Sequence, residues 1–180
     1  MSRDKVTAVL ITREREWPRD AVLNFPFHEV IIEERCPGVH RRFELALQAK
    51  GDIIYVQDDD CRIDIPALWN HYDGKMTYAI TPAHKRIYDE LCGSRACLIG
   101  WGCFFPRELA DPARWKPYTD VHGPIPSIEA DRVFTWYAGE RNAVVMPIEM
   151  LRRQQAMSRD NKDHYTSRDR IIRQLKEISE

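Results

Sequence analysis

The chain of 180 residues has no long apolar run. The most apolar stretch near its start, Val6 to Ile11, is far too short to span a membrane, and no small-residue cleavage pattern follows it. A soluble, cytoplasmic protein without a signal peptide or membrane span is expected. Excess charge is missing too: 27 Lys and Arg stand against 28 Asp and Glu. No overall basic field therefore argues for nucleic acid, and no acidic tail argues for disorder. CxxC spacing is absent, and the five cysteines, Cys36, Cys61, Cys92, Cys97 and Cys103, are odd in number. That pattern argues against a disulfide framework and against a zinc ribbon, and points to reduced, mostly buried thiols. There is no internal repeat and no low-complexity tract. The length fits one domain over residues 1–180.

What the chain does have is one apolar run that ends in concentrated charge. Ile53, Ile54, Tyr55 and Val56 are β-branched or aromatic and too few for a helix; Gly51 precedes them, and Gln57, Asp58, Asp59 and Asp60 follow. This reads as an interior strand of a parallel sheet, covered on both faces. Three adjacent carboxylates repel one another, so a fold that places them at a strand end has a use for the charge. Asp58 and Asp60, two apart, point to the same side in extended backbone. Their hard oxygens suit Mg²⁺ or Mn²⁺ bound together with a substrate diphosphate. The alternative is a solvated acidic turn.

Upstream, Val6 to Thr12 predicts a first strand, stopped by Arg13-Glu14-Arg15-Glu16. Thr12, Arg13 and Arg15 either meet a nucleotide at the strand end or form an exposed charged turn. A short helix over Arg19 to Phe27, a strand over His28 to Glu34, and a helix over Val39 to Lys50 complete a strand-helix-strand-helix-strand series. Such a series predicts a doubly wound, mainly parallel sheet.

Downstream, a helix from Pro66 and a strand over Met76 to Thr81 are expected, with His84 to Cys92 charged and irregular. Gly100 and Gly102 bracket Trp101 in the apolar run Arg95 to Phe105, and mark either a bend at a pocket floor or a bulge. Asp111 to Ser127 reads as a proline-rich loop bordering an acceptor site. Glu129 and Asp131 open a helix that stops at Gly139, where carboxylates serve either catalysis or the helix dipole. A last strand, Asn142 to Pro147, precedes a polar segment over residues 151–165, read as a mobile lid, and an amphipathic helix over Ser167 to Ile178.

Taken together, these parts resemble the GT-A class of glycosyltransferases, an α/β fold with a mixed, mainly parallel central sheet flanked by helices. Arg42-Phe43, the run Ile54 to Asp60, the run Leu98 to Phe105, Glu129-Ala130-Asp131 and His164-x-x-x-Arg168 look like the motif series of exostosin-type glycosyltransferases. Family 2-type glycosyltransferases are a looser match. The resemblance implies a nucleotide-diphosphate sugar donor, a UDP- or GDP-sugar, and an unidentified hydroxyl acceptor. It places Mn²⁺ or Mg²⁺ on Asp58 and Asp60, with Asp60 the direct ligand and Asp59 beside it. Asp131, with Glu129, stands near the sugar and acceptor. Arg168 neutralises the leaving diphosphate, His164 helps close the site, and Thr12, Arg13, Arg15, Glu33, Arg42, Gly100 and Gly102 surround the donor. Exostosin-type enzymes carry two adjacent aspartates where this chain has Glu129-Ala130-Asp131.

Two other functions compete. A sugar-phosphate nucleotidyltransferase would keep the fold and metal, but the loop Thr12 to Glu16 lacks the glycines such enzymes usually carry. A non-catalytic sugar-nucleotide-binding module would keep the fold without metal-dependent turnover.

Overall fold

A computed structural model describes residues 5–12, 22, 24–93, 95–125, 129–151 and 162–179. Its strands are β1 (Val6–Ile11), β2 (Glu29–Glu33), β3 (Ile53–Gln57), β4 (Cys61–Arg62), β5 (Met76–Ile80), β6 (Cys103–Pro106), β7 (Arg141–Val145) and β8 (Glu149–Met150). The α-helices are α1 (Arg41–Gln48), α2 (Ile65–Trp69), α3 (Pro82–Cys92), α4 (Lys116–His122), α5 (Ala130–Tyr137) and α6 (Lys162–Ser179). Six strands form one sheet in the order β2-β1-β3-β6-β5-β7. β1 pairs in parallel with both β2 and β3, β5 in parallel with β7, and β6 runs antiparallel to both β3 and β5. The expected mixed, mainly parallel α/β sheet is therefore present.

Every residue of β1 and of β3 is buried, as their predominantly apolar runs require. Val9, Ile11, Ile54 and Val56 face one layer, built with Phe43 of α1 and Phe134 of α5. Leu10, Ile53 and Tyr55 face the other, with Leu68 and Trp69 of α2. The alternation follows from the two-residue period of a strand. Between α1 and α5, the rings of Phe43 and Phe134 stack at 4.3 Å and 23°. Such a pair contributes about 0.5–1.5 kcal/mol beyond the area it buries. It also sets α1 against the start of α5, which matters for the charged groups described below.

Several expectations are corrected. Residues 84–92 are not irregular but lie in α3. Thr81 caps it by accepting from the His84 amide, Pro82 occupies its first turn, and Lys85 pairs with Asp89 one turn on. High charge disguised a helix whose charges pair along its exposed face. The expected loop over 111–127 contains a 3₁₀ turn, Pro112–Trp115, and then α4. Asp111 starts that turn by accepting from the Ala113 amide, and Tyr118 is buried against Val133, Ile171 and Leu175. Proline here opens helical turns rather than preventing them. The strand in the apolar run of residues 95–105 begins only at Cys103. Of the first helix, expected over residues 19–27, residues 19–21 and 23 lie outside the described residues, and residues 22 and 24–27 are not helical.

β4 and β8 form a two-stranded ribbon that was not expected, two residues per strand being too short to show periodicity. The Leu151 amide, just after β8, donates to the Asp60 carbonyl at 2.7 Å. Most of the 151–165 segment, residues 152–161, lies outside the described residues. Cys36, Cys61, Cys97 and Cys103 are free and buried. Among the described residues no helix is long and apolar enough to cross a membrane.

Candidate active site

The chain leaves β1 for β2 on one side and then returns across it to β3 on the other. In open α/β sheets such a reversal opens a crevice at the carboxyl ends of the strands. The three aspartates stand there, at the end of β3, and Thr12 ends β1 beside them. The Thr12 hydroxyl donates to Asp59 Oδ2 at 2.7 Å, bridging the switch point. Thr12 is itself buried, with its amide on the Glu33 carbonyl and its carbonyl accepting from the Cys36 amide. Glu33, at the end of β2, is gripped by Arg41 Nε at 2.9 and 3.0 Å.

Asp58 occupies a seat made by two distant elements. Its amide donates to the Gly100 carbonyl at 2.5 Å, and its Oδ1 accepts from Arg42 Nη2 at 2.7 Å. A side chain at residue 100 would collide with it, since a Cβ on Gly100 would stand 1.9 Å from Asp58 Oδ2. The bend also needs Gly102, at φ +115°, where a Cβ would meet Ile63 Cδ1 at 2.4 Å. The expected bend is thus present, and it seats the first aspartate.

Arg42 is the hub. It projects from α1 and is only 1% exposed, yet carries charge. Burial alone would make that costly. Asp131 and Asp58 outweigh it, and together they hold the guanidinium above its ordinary pKa. Arg42 Nη1 reaches Asp131 Oδ2 at 3.5 Å, so one guanidinium spans the carboxylates of β3 and α5. Asp131, on the first turn of α5, is 6% exposed. Burial pushes its carboxyl up to about 6, against the pull of Arg42 and with a further push from Asp58. A carboxylate in that range can accept a proton near neutral pH.

Glu129 belongs to a different group. It accepts from Arg132 Nε at 2.6 Å in a buried pair, and Arg132 lies over the Tyr88 ring at 5.8 Å. Burial raises the Glu129 carboxyl, opposed first by Arg132 and then by Arg168. On α6, Arg168 Nε donates to Asp169 at 2.8 Å. The structure therefore brings Thr12, Arg42, Asp58, Asp59, Gly100 and Asp131 together, and sets Glu129 apart with Arg132. Arg13, Arg15 and the side chain of His164 lie outside the described residues.

Sequence reasoning missed His84 and Trp101, whose rings meet edge to face at 4.5 Å beyond Gly100. His84 Nδ1 is hydrogen-bonded to the Thr81 hydroxyl at 2.8 Å, and burial lowers its pKa. The Thr81-Pro82 capping pair was the available signal. A separate open concavity of about 480 Å³ is lined by Pro82, Lys85, Arg86, Asp89, Glu90 and Val145. Its charges are paired along α3, Lys85 with Asp89 and Arg86 with Glu90, which marks a solvated face rather than a reactive one.

Among the described residues no group of three or more His, Cys, Asp or Glu is placed to hold a metal by itself. Carboxylate oxygens such as those of Asp58 and Asp60 are hard donors, the kind that Mg²⁺ and Mn²⁺ take together with diphosphate and water oxygens. The Asp58 side chain is 41% exposed, so its carboxylate is accessible from the crevice.

No family model matches the chain, and no curated protein matches it by sequence. Among solved structures, it is similar to glucosyl-3-phosphoglycerate synthase from Mycobacterium tuberculosis, in complex with Mn²⁺, uridine diphosphate and phosphoglyceric acid. The TM-score is 0.53 at 10% identity, over 95% of this chain and 78% of that one. The chain has a GT-A glycosyltransferase fold. The likeness supports that fold class and does not single out the exostosin type.

Proposed function

We propose that the protein transfers a sugar from a nucleotide-diphosphate sugar to a hydroxyl acceptor, with Mn²⁺ or Mg²⁺ held by Asp58 and Asp60. The observation that carries this is Arg42 joining the acidic tip of β3 to the buried Asp131 at the switch point of a GT-A sheet. The solved neighbour, with Mn²⁺ and uridine diphosphate bound, supports the donor class. When bound, the metal would neutralise charge on the departing diphosphate.

The chain's own residues do the rest. Thr12 fixes Asp59, and Gly100 leaves room for Asp58 against the backbone. Arg42 draws Asp131 toward its carboxylate form against the opposing effect of burial. Asp131 either takes the proton of the acceptor hydroxyl, giving inversion, or steadies the cationic sugar, giving retention. Arg168 and His164, on α6, are proposed for the leaving diphosphate, with residues 151–165 as the covering segment of a single domain. A panel of UDP- and GDP-sugars tests the proposal, through thermal stabilisation and hydrolysis with Mn²⁺ and with EDTA. Mn²⁺-dependent turnover of one donor supports transfer. Metal-dependent binding without turnover would leave a binding module, and no binding would remove the proposal.

A further inference from the structure

Three adjacent aspartates in this crevice are handled one at a time. Asp59 takes the Thr12 hydroxyl, and Asp58 takes Arg42. Arg42 is the unusual member. It is buried, whereas the Asp58 side chain is 41% exposed and Asp131 only 8%. The short contact is to the exposed carboxylate, at 2.7 Å, and the long one is to the buried carboxylate, at 3.5 Å. Arg42 Nε has no hydrogen-bond partner among the described residues. The guanidinium fork is thus only partly used, and its tighter partner is the group a metal would need.

We propose that Arg42 is a resident counter-cation that a divalent metal must displace from Asp58, and that Asp131 retains the guanidinium when it does. The inference rests on the assignment of Asp58 as a metal carboxylate. A guanidinium and a divalent cation repel each other and compete for the same oxygens. Without a second anion, a displaced Arg42 would be a buried charge with no partner, which is strongly unfavourable. Asp131 removes that obstacle because it already faces Nη1 and lies too deep to be taken by solvent. Metal binding at the tip of β3 and tightening of the Arg42–Asp131 pair are then one coupled event. Coupling of this kind is reciprocal, so a change at Asp131 must alter metal affinity through Arg42.

The experiment measures Mn²⁺ affinity by the paramagnetic resonance signal of free Mn²⁺, at saturating UDP. The proteins are the wild type, Arg42→Met, Asp131→Asn and the double variant. Arg42→Met should bind Mn²⁺ at least about tenfold more tightly, because the competitor is gone. Asp131→Asn should bind about tenfold more weakly, since Arg42 then has Asp58 alone. In the Arg42→Met background the Asp131→Asn effect should shrink to about twofold or less, because the route through the guanidinium no longer exists. If Arg42→Met does not fold, Arg42→Lys replaces it, a point cation unable to span both carboxylates. The sign is then the same and the gain smaller. Unchanged or weaker Mn²⁺ binding in the Arg42 variant overturns the inference, as does an equal Asp131→Asn effect in both backgrounds. A wild type that takes up no Mn²⁺ with UDP present removes the metal assignment instead, and the inference with it.

Discussion

Gly100 and Asp58 share one volume: the carboxylate fills the space that any side chain at residue 100 would need. Gly100→Ala should therefore displace Asp58 from Arg42 or push the 100–102 bend out of place. Overpacking of this kind costs about 1–3 kcal/mol. Thermal unfolding should show that loss. Titration with Mn²⁺ and UDP should show affinity lowered well beyond what the stability change explains. Wild-type affinity in Gly100→Ala would show that the seat of Asp58 is unimportant for binding.

Asp131 predicts a pH dependence with a definite sign. Its folded pKa of about 6 is above its unfolded value of 3.8, so the folded state holds more protons between the two. Stability from this group is fully present below the unfolded value. It is lost as pH rises through about 6, by roughly 3 kcal/mol for a shift of this size. Asp131→Asn removes that slope, so the stability difference between variant and wild type should shift in the variant's favour from pH 4 to pH 7. Denaturant unfolding at several pH values measures it, and parallel curves would refute it. If Asp131 is the base, kcat/KM should rise through the same window, and Asp131→Asn should lower turnover by about 100-fold or more.

Glu129 and Asp131 are two residues apart and should behave differently. Glu129→Ala leaves Arg132 as a buried cation short of its partner, which typically costs about 3–5 kcal/mol. The folded fraction should nevertheless keep donor KM and turnover near wild type. A loss of turnover at full stability would instead make Glu129 a member of the catalytic set.

Much of this was legible because it depended on local pattern. The predominantly apolar runs of β1 and β3, and the carboxylates after Val56, announced a buried parallel sheet with a charged tip. Gly100 and Gly102 announced a bend. What could not be read was partnership across the chain. Arg42 stood in the sequence as one half of an Arg-Phe motif, and nothing near it shows that it spans residues 58 and 131. Glu129 looked equivalent to Asp131, although one helical turn hands it to Arg132. α3 and α4 were hidden by composition, because paired charges on one and prolines before the other suppress the apolar signal while capping and opening the helices.

Asp60→Ala should leave the fold intact and abolish the extra thermal stabilisation that Mn²⁺ gives to the UDP-bound protein. Ligand that binds only the folded state adds about 2.7 kcal/mol at a hundredfold excess over Kd, so the increment is measurable. Equal stabilisation of the variant and wild type would exclude Asp60 as a ligand.

The distances along the chain between the charged partners have a consequence for how the molecule folds. Arg42 and Asp131 are 89 positions apart, and Arg42 and Asp58 are 16 apart. No hairpin or single helix contains the trio, so its closure waits until α5 docks through Phe134 onto Phe43. Before that step, α1 can bury its apolar face only by carrying a guanidinium with one carboxylate instead of two. Docking of α1 and α5 should accordingly be late and cooperative, and shorter chains that end before residue 130 should hold α1 loosely.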